Sequence, residues 1–188
     1  MTAFPSQYFV ERTAWRAWLT EHFETAPEIW LEYPKKHTGK PRIIYNDAVE
    51  EALCFGWIDS TVRAKDADTT MQRFCPRRAK SSFSQPNRER LAWLLKHELI
   101  HASIRDEMAS IVAEPFEFPA DIMELIQADA QAWQHYQAFS PSYQRIRIAF
   151  IAAARKRPEE FHKRLHNFLS KTRENKLIKG FGGIDKYY

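Results

Sequence analysis

The sequence predicts an α+β fold: a small antiparallel sheet with packed helices, followed by a helical C-terminal part. Three observations point there. Short aromatic and β-branched runs are confined to the first half of the chain, as strands require. Apolar residues at helical spacing open the chain and then dominate from about residue 85 onward. Composition is that of an ordinary globular protein, with 44% hydrophobic and 28% charged residues, which excludes disorder along the whole chain. A length of 188 residues suffices for one well-buried core or two small ones. The division expected is an α+β part over residues 1–84 and a basic helical part over 85–188, either separate or one continuous globule.

Trp15, Trp18, Leu19, His22 and Phe23 share one face at helical spacing, so the first helix is expected over 13–23. Glu28 to Tyr33 is short, aromatic and branched, and reads as a strand. Pro34 to Pro41, with Gly39 inside it, reads as a turn, and Arg42 to Tyr45 as a second strand pairing with the first. Asn46 is a natural N-cap for a helix over 46–55, with Asp47 and Glu50 favouring its positive end and Gly56 closing it. Trp57 to Lys65 and Met71 to Arg77 are extended runs around the polar turn Asp66-Ala67-Asp68-Thr69, the pattern of a hairpin. Beyond them the chain reads as helix after helix. Ser84 caps one with Pro86 in its first turn; Ser103 with Asp106 resembles a capping box; Ser140-Pro141 and Pro158 open the last two.

Charge is divided unevenly. Residues 140–188 hold 12 Lys and Arg against 4 Asp and Glu, whereas the rest of the chain holds 16 against 20. Such a division fits an acidic or nucleic-acid partner, a solvated helical face, or a surface that meets the acidic half. The start MTAFPSQYFVERTAW shows no basic segment followed by an apolar run, and no stretch is long and apolar enough for a membrane span. Cys54 and Cys75 stand apart and form no CxxC pair. A cytoplasmic, reducing location with no membrane span is the expectation.

Two segments carry a family resemblance. One is Glu51-Ala52-Leu53-Cys54-Phe55-Gly56-Trp57-Ile58-Asp59-Ser60. The other runs from Arg73-Phe74-Cys75-Pro76-Arg77-Arg78-Ala79-Lys80 through Ser81-Ser82-Phe83-Ser84-Gln85-Pro86-Asn87. Together with Ala154-Arg155-Lys156-Arg157-Pro158-Glu159 they resemble the YdeI/OmpD-associated, or bacteriocin-protection, family over roughly residues 8 to 170. Phe83 departs from the family's Trp at that place, and the tail with Phe181-Gly182-Gly183 lies beyond the pattern. The resemblance implies a stress-tolerance role, through links to envelope stress and antimicrobial-peptide tolerance. It implies no reaction and no cofactor.

Three constellations could carry chemistry. His97-Glu98-Leu99-Ile100-His101 spells HExxH, which on one helix would bind zinc with Glu98 as base. Chance alone gives this pattern in roughly two such chains per hundred. No metzincin continuation follows, because Ile104 and Glu107 stand where Gly and His belong. Glu117 or Glu124 would have to be the third ligand, and neither sits in a motif. A zinc hydrolase is therefore the last of the alternatives, and neither a metal nor a cofactor is expected. His162 and His166, four apart, lack a local acidic or thiol ligand and read as a solvated or half-buried pair.

The second constellation is Trp57, Asp59, Arg73, Arg77, Arg78, Lys80, Ser81, Ser84 and Asn87. Asp59 orienting the fork of Arg77, Trp57 as a wall and the amides following Ser84 would form a pocket for a small anionic ligand. Of these, Trp57, Asp59, Arg77, Arg78, Ser81, Ser84 and Asn87 are the candidate ligand-binding residues. The competing reading is an Asp59–Arg salt bridge with Ser84 as a plain cap. No nucleophile–base pair is visible, so a binding role is favoured over a catalytic one. The third is the basic helical end, from Arg145 to Lys179, which would attract phosphate without sequence preference. A basic nucleic-acid-binding accessory protein is accordingly the alternative function.

Overall fold

A computed structural model describes residues 5–78, 81–180 and 183–188. The chain forms two units. The first comprises Met1–Ser82 and Leu91–Ser110, and the second Phe83–Arg90 and Ile111–Tyr188.

In the first unit the elements are β1 (Ser6–Tyr8), α1 (Arg12–His22), β2 (Ile29–Pro34), α2 (Tyr45–Cys54), β3 (Trp57–Ala64) and β4 (Thr69–Pro76). The sheet order is β1-β2-β4-β3, with β1 parallel to β2 and the other pairs antiparallel. The α+β class expected from sequence therefore holds, with one short parallel strand at the edge. The hairpin of β3 and β4 closes where Lys65 donates to the Thr69 carbonyl at 2.9 Å and Asp66 accepts from the Asp68 amide at 2.8 Å. Alternation on β2 sends Ile29, Leu31 and Tyr33 to one face, opposite Phe74, Gln72 and Thr70 of β4. That face is covered by helix: the Trp15 ring lies 5.5 Å from Phe74, and its indole donates to the Ala48 carbonyl at 3.1 Å. Trp15, Leu19, Leu31, Leu53 and Phe74 are completely buried there.

Two expectations fail locally. Arg42 to Tyr45 is not a second strand beside β2. The neighbours of β2 are β1 and β4, so both hydrogen-bonding edges are taken. Ile43 instead donates to the Phe9 carbonyl at 3.0 Å and is buried, while Ile44 faces outward. The cap of α2 is likewise Ile44 rather than Asn46. Asn46 lies inside the helix and donates to Glu50 at 2.9 Å. The chain enters α2 earlier than the polar residue suggests, because Asn46 is used to satisfy a buried carboxylate.

α3 (Gln85–Lys96) and α4 (Arg105–Ala113) each contribute to both units. The second unit adds α5 (Ala120–Gln127), α6 (Ala130–Ala138), α7 (Pro141–Ala152) and α8 (Pro158–Arg173). Ser140 caps α7, accepting from the Tyr143 amide, and Pro158 occupies the first turn of α8. Ile122, Ile126, Tyr136, Tyr143, Ile148, Ile151, Leu165 and Phe168 form the core. The last residues fold back onto α7: Tyr143 Oη accepts from the Ile178 amide at 2.9 Å, and Tyr188 meets the Tyr143 ring edge-on at 4.8 Å. Among the described residues no helix is long and apolar enough to cross a membrane.

Candidate functional site

The first unit opens a cleft of about 390 Å³ between Tyr33 of β2, Val62 of β3, Thr70 to Gln72 of β4, and the segment Arg42 to Tyr45. The volume falls within the range of small-molecule sites. A bulge in β3 between Asp59 and Val62 lies beside it, a device that redirects side chains near functional sites. Apolar side chains form the rim: Ile44 is 67% and Val62 62% exposed, large values for such residues. Polar groups converge from below and from the side. The Arg42 guanidinium lies 5.7 Å from the Tyr33 ring centre and donates to the Pro34 carbonyl at 2.7 Å. Tyr45 donates to Asp59 at 2.5 Å, which fixes the Tyr45 ring.

Tyr33 is the anomaly. The residue is buried, and its hydroxyl has no hydrogen-bond partner among the described residues. A buried hydroxyl without a partner carries an unrecovered desolvation cost. Burial, together with the nearby Tyr45, pushes the Tyr33 phenol up, so it remains a neutral donor at physiological pH. The cleft thus offers one cation and an apolar rim, over a tyrosine whose buried hydroxyl has no partner among the described residues.

The residues singled out from sequence are distributed as follows. Trp57 is buried, and its indole donates to the Phe23 carbonyl at 3.0 Å. Asp59 is opposite Phe74 in the ladder and holds Tyr45. Arg77 lies just past β4, where its amide donates to the Gly56 carbonyl at 3.0 Å. Its guanidinium donates to Ser81 O at 3.2 Å, Ser81 Oγ at 3.0 Å and Ser82 O at 2.9 Å, and so closes the following loop. Burial pulls the Arg77 guanidinium down, and the charge of Asp59 opposes this. Arg78 is exposed and accepts from Ser81 through its carbonyl. Arg73 pairs with Glu28 at 2.6 Å. Ser84 and Asn87 belong to the second unit, where the Ser84 carbonyl accepts from Arg88 and Asn87 accepts from Arg90 at 2.9 Å. Lys80, Phe181 and Gly182 lie outside the described residues.

The HExxH residues do not share a helix. α3 ends at Lys96, and Glu98 takes a left-handed conformation with φ of 56°. His97 stacks on Trp93 at 3.9 Å, whereas His101 packs against Phe23 at 4.8 Å and accepts from the Ser103 amide. That bond also replaces the expected Ser103 capping box: His101 is the cap. No group of three or more His, Cys, Asp or Glu is arranged to hold a metal among the described residues.

Much of the basic C-terminal charge is spent within the second unit. Arg145 forks onto Glu89 at 2.6 and 2.8 Å, and Arg155 onto Asp121 at 2.8 and 2.6 Å. Arg173 pairs with Asp129, and Arg164 with Glu160 at 2.7 Å. Three of these four carboxylates come from before residue 140, so sequence-local counting overstated the free charge. Lys156, Arg157, Lys163 and Lys179 remain exposed.

The cleft escaped sequence reading because Arg42 to Tyr45 read as a strand. Its signal was the apolar Ile43-Ile44-Tyr45 run beside a cation, immediately after a Pro-bounded turn. No curated protein and no solved structure matches the chain. The segments 51–60 and 73–87 and the Arg-Pro-Glu step at 157–159 fall in two different family matches, one on each side of residue 110. Over residues 7–107 the chain belongs to the family "Domain of unknown function (DUF8412)", and its residues 115–175 match the family "Bacteriocin-protection, YdeI or OmpD-Associated".

Proposed function

We propose that this chain is a cytoplasmic binding protein with a stress-tolerance role, and that its cleft takes a small anionic ligand with an apolar body. The observation that carries the reading is Tyr33, with its buried, unpartnered hydroxyl, in the lining of a cleft of about 390 Å³ together with Arg42. An anionic head between Arg42 and Tyr33 would accept charge-assisted hydrogen bonds, while Ile44 and Val62 would cover the apolar body. Asp59 enters as a positioning residue, because it holds Tyr45 at the rim. Arg77, on which the charge of Asp59 acts and which closes the loop to Ser82, would offer a second place for an anion together with Arg78 and Ser81. The stress-tolerance part rests on the description of the family that residues 115–175 match.

The test is thermal unfolding with aliphatic and aromatic carboxylates, followed by calorimetry on any that stabilise. At least one should bind saturably. Tyr33→Phe and Arg42→Leu should each weaken it by about tenfold, the worth of one charge-assisted hydrogen bond. If none stabilises, or both variants bind as the parent does, the reading fails. Retention on DNA across a salt gradient examines the alternative: strong binding there, unaffected by both substitutions, would favour a nucleic-acid partner.

A further inference from the structure

The second unit buries a guanidinium whose hydrogen-bond acceptors among the described residues are all neutral, with Asp185 the acidic group that shares its two tyrosine neighbours. Arg147 on α7 is 5% exposed. Its Nη2 donates to two neutral acceptors, the Ile178 carbonyl and the Tyr188 hydroxyl, and its Nε has no partner among the described residues. The rings of Tyr143 and Tyr188 lie 5.4 and 5.5 Å from the guanidinium carbon. Burying a cation is costly unless a paired charge offsets it, and aromatic faces recover only part of that cost.

Arg147 lines a cavity of about 180 Å³ between α7 and α8. Lys163, Arg164 and Asn167 line it from α8, and Phe150 and Phe168 supply apolar surface. Arg164 is already balanced: it bonds Glu160 at 2.7 Å and the Phe150 carbonyl at 2.7 Å, and stacks 3.7 Å from the Phe150 ring. The lining thus holds three cations, Arg147, Lys163 and Arg164, against one carboxylate, Glu160, whose charge also acts on Lys163.

We propose that this cavity is an oxyanion site for a phosphate monoester carried on a small apolar stem. An excess of two cations in the lining matches a dianion better than a single carboxylate, and a phosphate monoester carries close to two negative charges at neutral pH. The guanidinium of Arg147 and the ammonium of Lys163 would donate to the phosphate oxygens. Asn167 would add a neutral donor, and Phe150 and Phe168 would flank the stem.

Calorimetric titration with phenyl phosphate, benzoate and inorganic phosphate tests this. Phenyl phosphate should bind saturably and more tightly than the other two. Lys163→Glu should weaken it by about tenfold or more, the worth of a charged contact. Lys156→Glu, exposed and outside the cavity lining, should leave it unchanged. Arg147→Met should abolish binding, with circular dichroism reporting whether it folds; the Lys163 comparison stands if it does not. Absence of saturable binding, benzoate or inorganic phosphate binding as tightly, or no loss in Lys163→Glu would each overturn the proposal.

Discussion

Two sites of buried charge, one in each unit, are built in opposite ways. In the first, Glu50 and Glu51 on α2 are 0% and 3% exposed, and the same unit supplies their partners. Arg12 donates to both, reaching Glu50 at 2.8 Å, and Arg16 reaches Glu51 at 2.6 Å. Asn46 adds a further donor to Glu50. Burial alone would lower the Arg12 guanidinium, but the hydrogen bonds and charges of Glu51 and Glu50 outweigh it and raise it above its ordinary value. In the second unit Arg147 is as deeply buried and meets neutral acceptors. The first arrangement is closed and holds α1 to α2. The second gives Arg147 neutral hydrogen-bond acceptors among the described residues, and the proposed oxyanion site rests on that. Depth of burial is therefore a poor guide to function, and the presence of an internal counter-charge is a better one.

The largest test of this contrast is Arg12→Leu. It leaves two buried carboxylates with one fewer cation, and stability should fall by about 3 kcal/mol, the usual consequence of breaking a buried pair. Urea unfolding measures it. A loss below about 1 kcal/mol would mean that the network is no stronger than exposed ion pairs and would remove one side of the comparison.

Next in size is an effect of pH on the same helix. Burial, aided by the charge of Glu51, pushes the Cys54 thiol up from its ordinary value near 9 to about 12. Folding thus favours the protonated thiol. The associated stability is fully present below pH 9 and is lost as pH rises through about 12. The same shift cuts the thiolate fraction near pH 8 by about a thousandfold. A thiol reagent should therefore modify Cys75, which is partly exposed, and spare Cys54 until the protein unfolds. Two equally fast thiols in native protein would show that the α2 end opens freely.

Arg147→Met should act more weakly than Arg12→Leu. It removes a buried cation whose acceptors among the described residues are neutral, so the recovered desolvation offsets the two lost hydrogen bonds, and the net change should lie within about 1 kcal/mol. A loss as large as that of Arg12→Leu would show that Arg147 has a counter-charge within the folded chain.

What could be read from sequence follows the range of the interactions. The hairpin of β3 and β4, the cap at Ser140 and the start at Pro158 are set by neighbours a few residues apart, and their signals were visible. β1 was invisible because three residues, Ser6 to Tyr8, become a strand only when β2 is there to pair with them. Arg42 to Tyr45 misled for the same reason: its β-like composition is overruled by a sheet edge already filled by β4. Arg12 and Arg16 stand four apart and Asp47, Glu50 and Glu51 lie on one short segment, but their meeting is a tertiary fact that no local pattern announced. The cleft at Tyr33 is of this kind too. Its lining comes from three strands and a connecting segment, and no local motif announces it.

The smallest expected effect is also the most direct reading of the cleft. Tyr33→Phe deletes one oxygen and keeps the ring against Arg42. Were the hydroxyl structural, its loss would strand a partner and cost about 1 to 2 kcal/mol. It has no partner among the described residues, so nothing is stranded. The unfolded state loses the hydration of that hydroxyl, whereas the folded state loses nothing comparable. Ligand-free stability should then be unchanged or rise by up to about 1 kcal/mol. Alkaline stability sharpens the point. Burial holds the parent phenol above its ordinary value, so its stabilising contribution is present below that value and is lost as pH rises through the higher folded one. Tyr33→Phe has no such proton to lose and should resist alkali better than the parent. A residue retained against its own stability is the expected mark of a binding group. A clear loss of ligand-free stability at neutral pH in Tyr33→Phe would instead assign the hydroxyl to the fold.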